Sequence, residues 1–170
     1  MSACAPVLVL AVGNPSRGDD ALGPQLAARL EAAALPGVEV ITEFQLQVEN
    51  ALDLVGRERV IFVDAGAGTP APFELRRADP SADFLHTSHA LSPGAVLATY
   101  RRILDDTPPE AWLLCVRGES FELGVGLSPT AARHLEDAWR ALLQGLRVAG
   151  TPDPQLPVVA SRASAAATIA

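Results

Sequence analysis

The chain has 170 residues, the length of a single domain. Hydrophobic residues make up 49% of it and charged residues 19%, and the formal charge of −7 argues against a broad surface for nucleic acid or anionic membranes. Two cysteines, Cys4 and Cys115, cannot form the disulfide framework of a small secreted protein. The apolar N-terminal run has no basic residues before it and is too short to span a bilayer, so we expect a cytoplasmic protein.

Strand and helix patterns alternate through the first half of the chain. Continuous apolar runs predict two buried strands, and alternation of polar and apolar residues predicts a half-buried strand between them. Apolar residues at helical spacing predict two helices. The predicted elements are a strand at 7–12, a helix at 20–34, a strand at 38–44, a short helix at 48–55 with Val48, Ala51, Leu52 and Val55 on one face, and a strand at 60–63.

The second half continues the same alternation. We predict a shorter, more exposed strand at 73–78 and an apolar strand at 112–116, with Ser-Pro pairs that open helices at 92–104 and 128–146. Strands that are apolar on both faces and alternate with helices predict an α/β fold whose mostly parallel sheet is covered on both sides. We predict one domain over 1–146, followed by a weakly ordered tail at 147–170 that is rich in Ala, Pro, Ser and Thr.

Candidate functional side chains follow the strands at the edge where open α/β sheets bind ligands. Asp20 lies in the loop after the first strand, Asp64 ends the central strand, and His89 lies in the loop before the third helix. Two carboxylates and an imidazole suit a divalent ion such as nickel or zinc.

Each of these residues also has a plain structural interpretation. Asp20, or Asp19 beside it, could cap the first helix, and Asp64 could be a turn residue. His89 alone could be an ordinary loop histidine, and His86 is a second candidate three residues away. We expect His134, on the final helix, to be solvated.

Several familiar chemistries lack their motifs. Gly13 and Gly18 hint at a phosphate-binding loop, but the Lys-Ser/Thr pair of a P-loop is absent and the two following aspartates would repel phosphate. The chain also lacks a G-x-S-x-G elbow, a catalytic cysteine signature, and the D-T-G or D-S-G pattern of pepsin-like proteases.

Four ordered motifs resemble those of the nickel–iron hydrogenase maturation peptidases. They are GNPSRGDDALGP at residues 13–24, VDA at 63–65, SH at 88–89 and GLSP at 126–129. The similarity runs from residue 7 to residue 146. It implies a phosphorylase-like α/β/α sandwich with a twisted central sheet.

The resemblance also implies a function and a site. Members of this family remove a C-terminal extension from the hydrogenase large-subunit precursor after nickel insertion, and the nickel in that precursor is bound by two acidic residues and a histidine of the peptidase. By position these residues are Asp20, Asp64 and His89. We expect Asp20 and Asp64 to face the metal and serve catalysis, with His89 neutral and ligating. Which residue moves the proton stays open.

Two departures from the family pattern concern the substrate. The loop after the second strand, residues 43–47, replaces a glycine-rich loop of many relatives and is similar to that of peptidases serving NAD-linked bidirectional hydrogenases. The first acidic ligand is Asp where some relatives have Glu. The absence of a classical nucleophile keeps a nickel-sensing chaperone of the large subunit as an alternative, and fold analogy alone suggests a small-molecule hydrolase.

Overall fold

The computed structural model describes residues 4–80 and 91–147. Its centre is a five-stranded sheet in the order β2-β1-β3-β5-β4, in which β4 is antiparallel to β5 and every other pair is parallel. The strands are β1 Val7–Val12, β2 Val38–Glu43, β3 Arg59–Gly66, β4 Phe73–Arg77 and β5 Glu110–Arg117.

Three α-helices and one short 3-10 turn lie between the strands, and a fourth α-helix follows the last strand. The 3-10 turn, Gly18–Ala21, leads directly into α1, and the helices are α1 Leu22–Ala33, α2 Asn50–Asp53, α3 Pro93–Leu104 and α4 Pro129–Arg147. Both predicted Ser-Pro caps are confirmed. Ser92 Oγ accepts a hydrogen bond from the Ala95 amide at 3.1 Å, and Ser128 Oγ accepts one from the Ala131 amide at 3.2 Å.

Two hydrophobic cores lie on opposite faces of the sheet. Val7, Val9 and Ala11 of β1 pack with α1 and α4, whereas Leu8 and Leu10 pack with α2 and α3. Successive strand residues point to opposite faces, so a strand buried on both sides must be apolar at every position. The predicted α/β fold, with a mostly parallel sheet between two helical layers, is confirmed.

The prediction for the second helix was wrong in length and in orientation. Only Asn50–Asp53 is helical, and Val48 and Leu52 of the predicted buried face are 50% and 58% exposed. Leu54, which the predicted face omitted, is fully buried beside Ala51 in the core that α2 shares with α3. A single helical turn is too short for spacing to define its buried side.

Two further points concern the limits of the domain. No helix within the described residues is long and apolar enough to cross a membrane. The predicted tail at 147–170 lies almost entirely outside the described residues, so the domain boundary stays a prediction.

Candidate active site

The candidate site lies where β1 and β3 end side by side. Ala11 of β1 pairs with Val63 of β3, and Asp64 follows Val63 within β3. The helix α1 begins against the same edge: a Cβ on Gly23 would overlap the Val12 carbonyl oxygen and lie 3.2 Å from that of Val63. Only glycine therefore allows the start of α1 to contact both strand ends, and this contact brings the preceding 3-10 turn to Asp64.

Asp64 is the most perturbed acid of the site. Its pKa is raised to about 6, mainly by desolvation on burial and to a smaller extent by the negative charge of Asp20. A hydrogen bond from the Ala65 amide to Oδ1, at 2.8 Å, acts in the opposite direction. Asp20 is bound to Asn14 just past the end of β1, and Asp64 lies at the end of the neighbouring β3, so both predicted acids lie at this edge of the sheet.

Asp20 is half-buried, and its side chain and backbone are hydrogen-bonded to the loop after β1. Its Oδ2 accepts a hydrogen bond from the Asn14 amide at 2.7 Å, while its own amide donates to the Arg17 carbonyl at 3.0 Å. Asp20 makes no side-chain cap to the 3-10 turn or to α1. The capping interpretation of Asp20 is therefore wrong.

Asp19, the neighbouring acid, has a different structural role. Its side chain is fully buried, and it accepts hydrogen bonds from the amides of Glu119, Ser120 and Ser128 and from the Ser128 hydroxyl, at 2.6–2.9 Å. Burial alone would raise the pKa of Asp19, but these hydrogen bonds outweigh it and hold the pKa below its ordinary value. Asp19 is therefore an ionised anchor for the chain between β5 and α4, and it does not cap α1.

The third predicted ligand is a histidine. His89 and the spare candidate His86 lie outside the described residues. Within 4–80 and 91–147, no three His, Cys, Asp or Glu side chains form a group that could hold a metal ion. The assignment of Asp20, Asp64 and His89 as metal ligands therefore stays a prediction.

The prediction of a solvated His134 was wrong. The side chain is half-buried, and its Nδ1 lies 2.9 Å from the carbonyl oxygen of Arg117 at the end of β5. It joins α4 to the sheet, an ordinary structural role for a histidine.

Both cysteines are free thiols, as expected. Cys115 pairs with Asp64 across β3 and β5, and its Sγ lies 3.0 Å from Thr69 Oγ1. Burial raises the pKa of the Cys115 thiol, so the thiolate that a cysteine nucleophile needs is disfavoured.

Sequence analysis missed another polar cluster at this edge. Asn50 is buried; its Oδ1 accepts from the Gln47 amide at 2.8 Å, and its Nδ2 donates to Glu43 at 3.3 Å and Asp53 at 2.9 Å. These bonds hold Glu43, the last residue of β2, at the end of the sheet that also holds Asp64. The sequence signal that could have indicated this cluster is Asn50 itself, a polar residue within the apolar pattern of the predicted helix.

Two adjacent carboxylates suit acid–base chemistry at a peptide bond. A carboxyl with a pKa of about 6 can both accept and release a proton near neutral pH, which ordinary aspartates do poorly. The same oxygens are also suitable ligands for a divalent metal ion.

Comparisons with known proteins agree with this fold. No protein-family model matches the chain. The hydrogenase 2 maturation protease of Escherichia coli (strain K12) is 31% identical over 153 residues, which are 85% of this chain and 92% of that protein. The structure of the hydrogenase maturating endopeptidase HybD from E. coli matches with a TM-score of 0.69 and 29% identity, over 85% of this chain and 93% of that chain. The solution structure of an endopeptidase from E. coli matches with a TM-score of 0.65 and 27% identity, over 85% and 94%.

The fold and the paired carboxylates fit a hydrolase that needs no serine or cysteine nucleophile. Given 31% identity over 85% of its length, the chain belongs to the hydrogenase maturation protease family. It is thus a hydrolase, an endopeptidase of hydrogenase maturation, and the comparisons support this function over the chaperone alternative. The resemblance seen in the four sequence motifs is confirmed.

Proposed function

We propose that this endopeptidase removes the C-terminal extension of a nickel–iron hydrogenase large-subunit precursor that already carries nickel. The observation that supports this most is the pair of Asp20 and Asp64 at one sheet edge, where burial and the neighbouring charge raise the pKa of Asp64 to about 6. Such a pair offers both oxygen ligands and a proton acceptor.

Nickel is part of the substrate in this proposal. Asp20 and Asp64 would bind the precursor's nickel through carboxylate oxygens, with His89 as the third ligand. This binding would place the precursor chain at the sheet edge and explain why the peptidase acts only on a loaded precursor. Because metal binding needs ionised carboxylates, the raised pKa of Asp64 would weaken recognition at acid pH.

Peptide hydrolysis then requires a group that takes a proton from the attacking water. An aspartate carboxylate at this edge would accept that proton and deliver it to the departing amine. An aspartyl-type endopeptidase of this kind needs no covalent intermediate, in keeping with the disfavoured thiolate of Cys115. The two free thiols also fit a reducing compartment, so we place the reaction in the cytoplasm.

The test compares nickel-loaded with nickel-free precursor, using mass spectrometry to follow loss of the extension. We expect cleavage of the loaded form only, and at least 100-fold slower cleavage by Asp20→Asn and by Asp64→Asn. Asp106→Asn is the matched control, because Asp106 is exposed and follows α3 at the other end of the sheet. Cleavage of both precursor forms at equal rates would disprove nickel recognition. Full activity of a double variant that carries both Asp20→Asn and Asp64→Asn would disprove the site.

A further inference from the structure

We infer that Asp19 is a positioning residue, which fixes the carboxylate of Asp20 by joining the 3-10 turn to the loop between β5 and α4. This loop, residues 118–128, is called the β5–α4 loop below. The inference rests on the proposed function, in which Asp20 contacts the substrate. It assigns a role to Asp19, which does not contact the substrate.

The Asp19 carboxylate is satisfied entirely by the β5–α4 loop. Oδ2 accepts from the Glu119 amide at 2.6 Å, the Ser120 amide at 2.9 Å and the Ser128 hydroxyl at 2.8 Å. Oδ1 accepts from the Ser128 amide at 2.7 Å. Hydrogen bonds to a buried charge are shorter and stronger than neutral ones, so this joint is stiff.

Backbone hydrogen bonds strengthen the same joint. The Asp19 amide donates to the Ser120 carbonyl at 2.7 Å, the Gly18 amide to the Val125 carbonyl at 3.1 Å, and the Gly124 amide to the Ser16 carbonyl at 2.8 Å. The two loops therefore move as one unit, although about 100 residues separate them.

Close packing leaves no room for the joint to shift. A Cβ on Gly118 would lie 2.9 Å from the Cβ of Asp19 and 2.7 Å from the ring of Phe121. A glycine at the end of β5 thus lets the loop fold directly over Asp19. Any side chain there would push the 3-10 turn away from the sheet.

This joint also determines the position of Asp20. Asp20 follows Asp19 in the same 3-10 turn, and among residues 4–80 and 91–147 its carboxylate accepts a hydrogen bond only from the Asn14 amide. Because one hydrogen bond does not fix a side chain whose backbone is free to move, the anchorage of Asp19 determines where Asp20 stands relative to Asp64. A displacement of about 1 Å in a reacting group can cost on the order of 100-fold in rate.

The first test is Asp19→Asn in the full chain. The amide replaces one acceptor oxygen by a donor that faces N–H or O–H groups, so at least one hydrogen bond is lost without a change of volume. We expect kcat per folded molecule to fall about 10- to 100-fold and KM for the loaded precursor to rise, because Asp20 also binds the precursor's nickel in the proposed function. The control, Leu142→Ala, removes buried contacts in α4 and should lower the unfolding midpoint but leave kcat per folded molecule unchanged.

A second readout does not depend on activity. The amide of Asn14 donates to Asp20, so its NMR resonance reports the position of that carboxylate. We expect Asp19→Asn to move this resonance towards its position in Asp20→Ala, and Leu142→Ala to leave it in place. A wild-type resonance together with wild-type kcat in Asp19→Asn would overturn the inference.

Ser128 provides a test if Asp19→Asn does not fold. Ser128→Ala removes one donor to Asp19, whereas Ser128→Thr keeps the hydroxyl. We expect Ser128→Ala to lower kcat about threefold to tenfold and to shift the Asn14 resonance, and Ser128→Thr to restore both. Equal wild-type values in the two variants would overturn the inference. If the wild-type protein cleaves no precursor, the proposed function fails, but the Asn14 resonance still decides the role of Asp19.

Discussion

Asp19 and Asp20 are adjacent in sequence, yet their carboxylates are bound by different parts of the protein. Asp19 is fully buried and bound by four donors of the β5–α4 loop, whereas Asp20 is half-buried, accepts from Asn14 and raises the pKa of Asp64. The first acid therefore belongs to the scaffold, and the second is available for the proposed active site. This division guides the interpretation of every substitution in the 3-10 turn.

Asp64→Asn should stabilise the protein at neutral pH while it abolishes cleavage. The folded-state pKa of about 6 lies above the ordinary aspartate value of 3.8, so ionisation of Asp64 costs stability as the pH rises through that interval. We expect Asp64→Asn to raise the free energy of unfolding by about 1–3 kcal/mol at pH 7.5, relative to the wild type. Urea unfolding at pH 7.5 and pH 4 measures the effect. It should largely disappear at pH 4, because Asp64 in the folded wild type is then protonated and as neutral as the amide of the variant. A difference that is equal at both pH values would contradict the raised pKa.

Asp20→Asn should lower the pKa of Asp64, because it removes the negative charge that helps to raise it. Desolvation by burial remains, so the pKa should stay above its ordinary value. Carbon-detected NMR titration of the Asp64 carboxyl measures the change, with Asp106→Asn as the control for the same chemical substitution at an exposed position. An unchanged pKa would mean that the two carboxylates are too far apart to act together.

Much of the fold was predictable because its signals are local. Apolar runs identified the buried strands, and Ser92 and Ser128 marked helix starts through caps that involve only the next three residues. The orientation of β4 was not predictable, since an antiparallel edge strand carries no pattern that distinguishes it from a short parallel one.

The site was predictable only in part. Asp20 and Asp64 follow from their places at strand ends, but the partners of Asp19 lie 100–109 residues away in the sequence. No spacing rule connects an acid to a loop at that separation, so capping and anchoring could not be distinguished. The prediction for α2 was wrong for a different reason. The pattern predicted an apolar face, but a single turn of helix is positioned by the residues that pack against it and not by its own periodicity.

Gly23→Ala should destabilise the protein despite the better helix propensity of alanine. Within a helix, Ala is favoured over Gly by up to about 1 kcal/mol. Here the added Cβ would overlap the Val12 carbonyl oxygen, which is backbone and cannot rotate away. We expect a net loss of about 1–3 kcal/mol in the free energy of unfolding, with a loss of cleavage because the start of α1 moves off the strand ends. Gly68→Ala is the matched control, since a Cβ there meets nothing within 4 Å. Equal stability of the two variants would contradict the close approach.

Asn50→Ala should destabilise the protein by about 1–3 kcal/mol, because the buried amide group bonds Gln47, Glu43 and Asp53 at once. Asn50→Asp keeps the acceptor oxygen of the side chain but removes its N–H donor. The new carboxylate still accepts from the Gln47 amide, but it faces the carboxylates of Glu43 and Asp53 with no donor between them. Its destabilisation should therefore be larger at pH 7 than at pH 4, where protonation relieves the repulsion, whereas that of Asn50→Ala should change little. Chemical unfolding of both variants at the two pH values makes the comparison, and identical pH dependence would show that the amide donor of Asn50 does not hold the two acids.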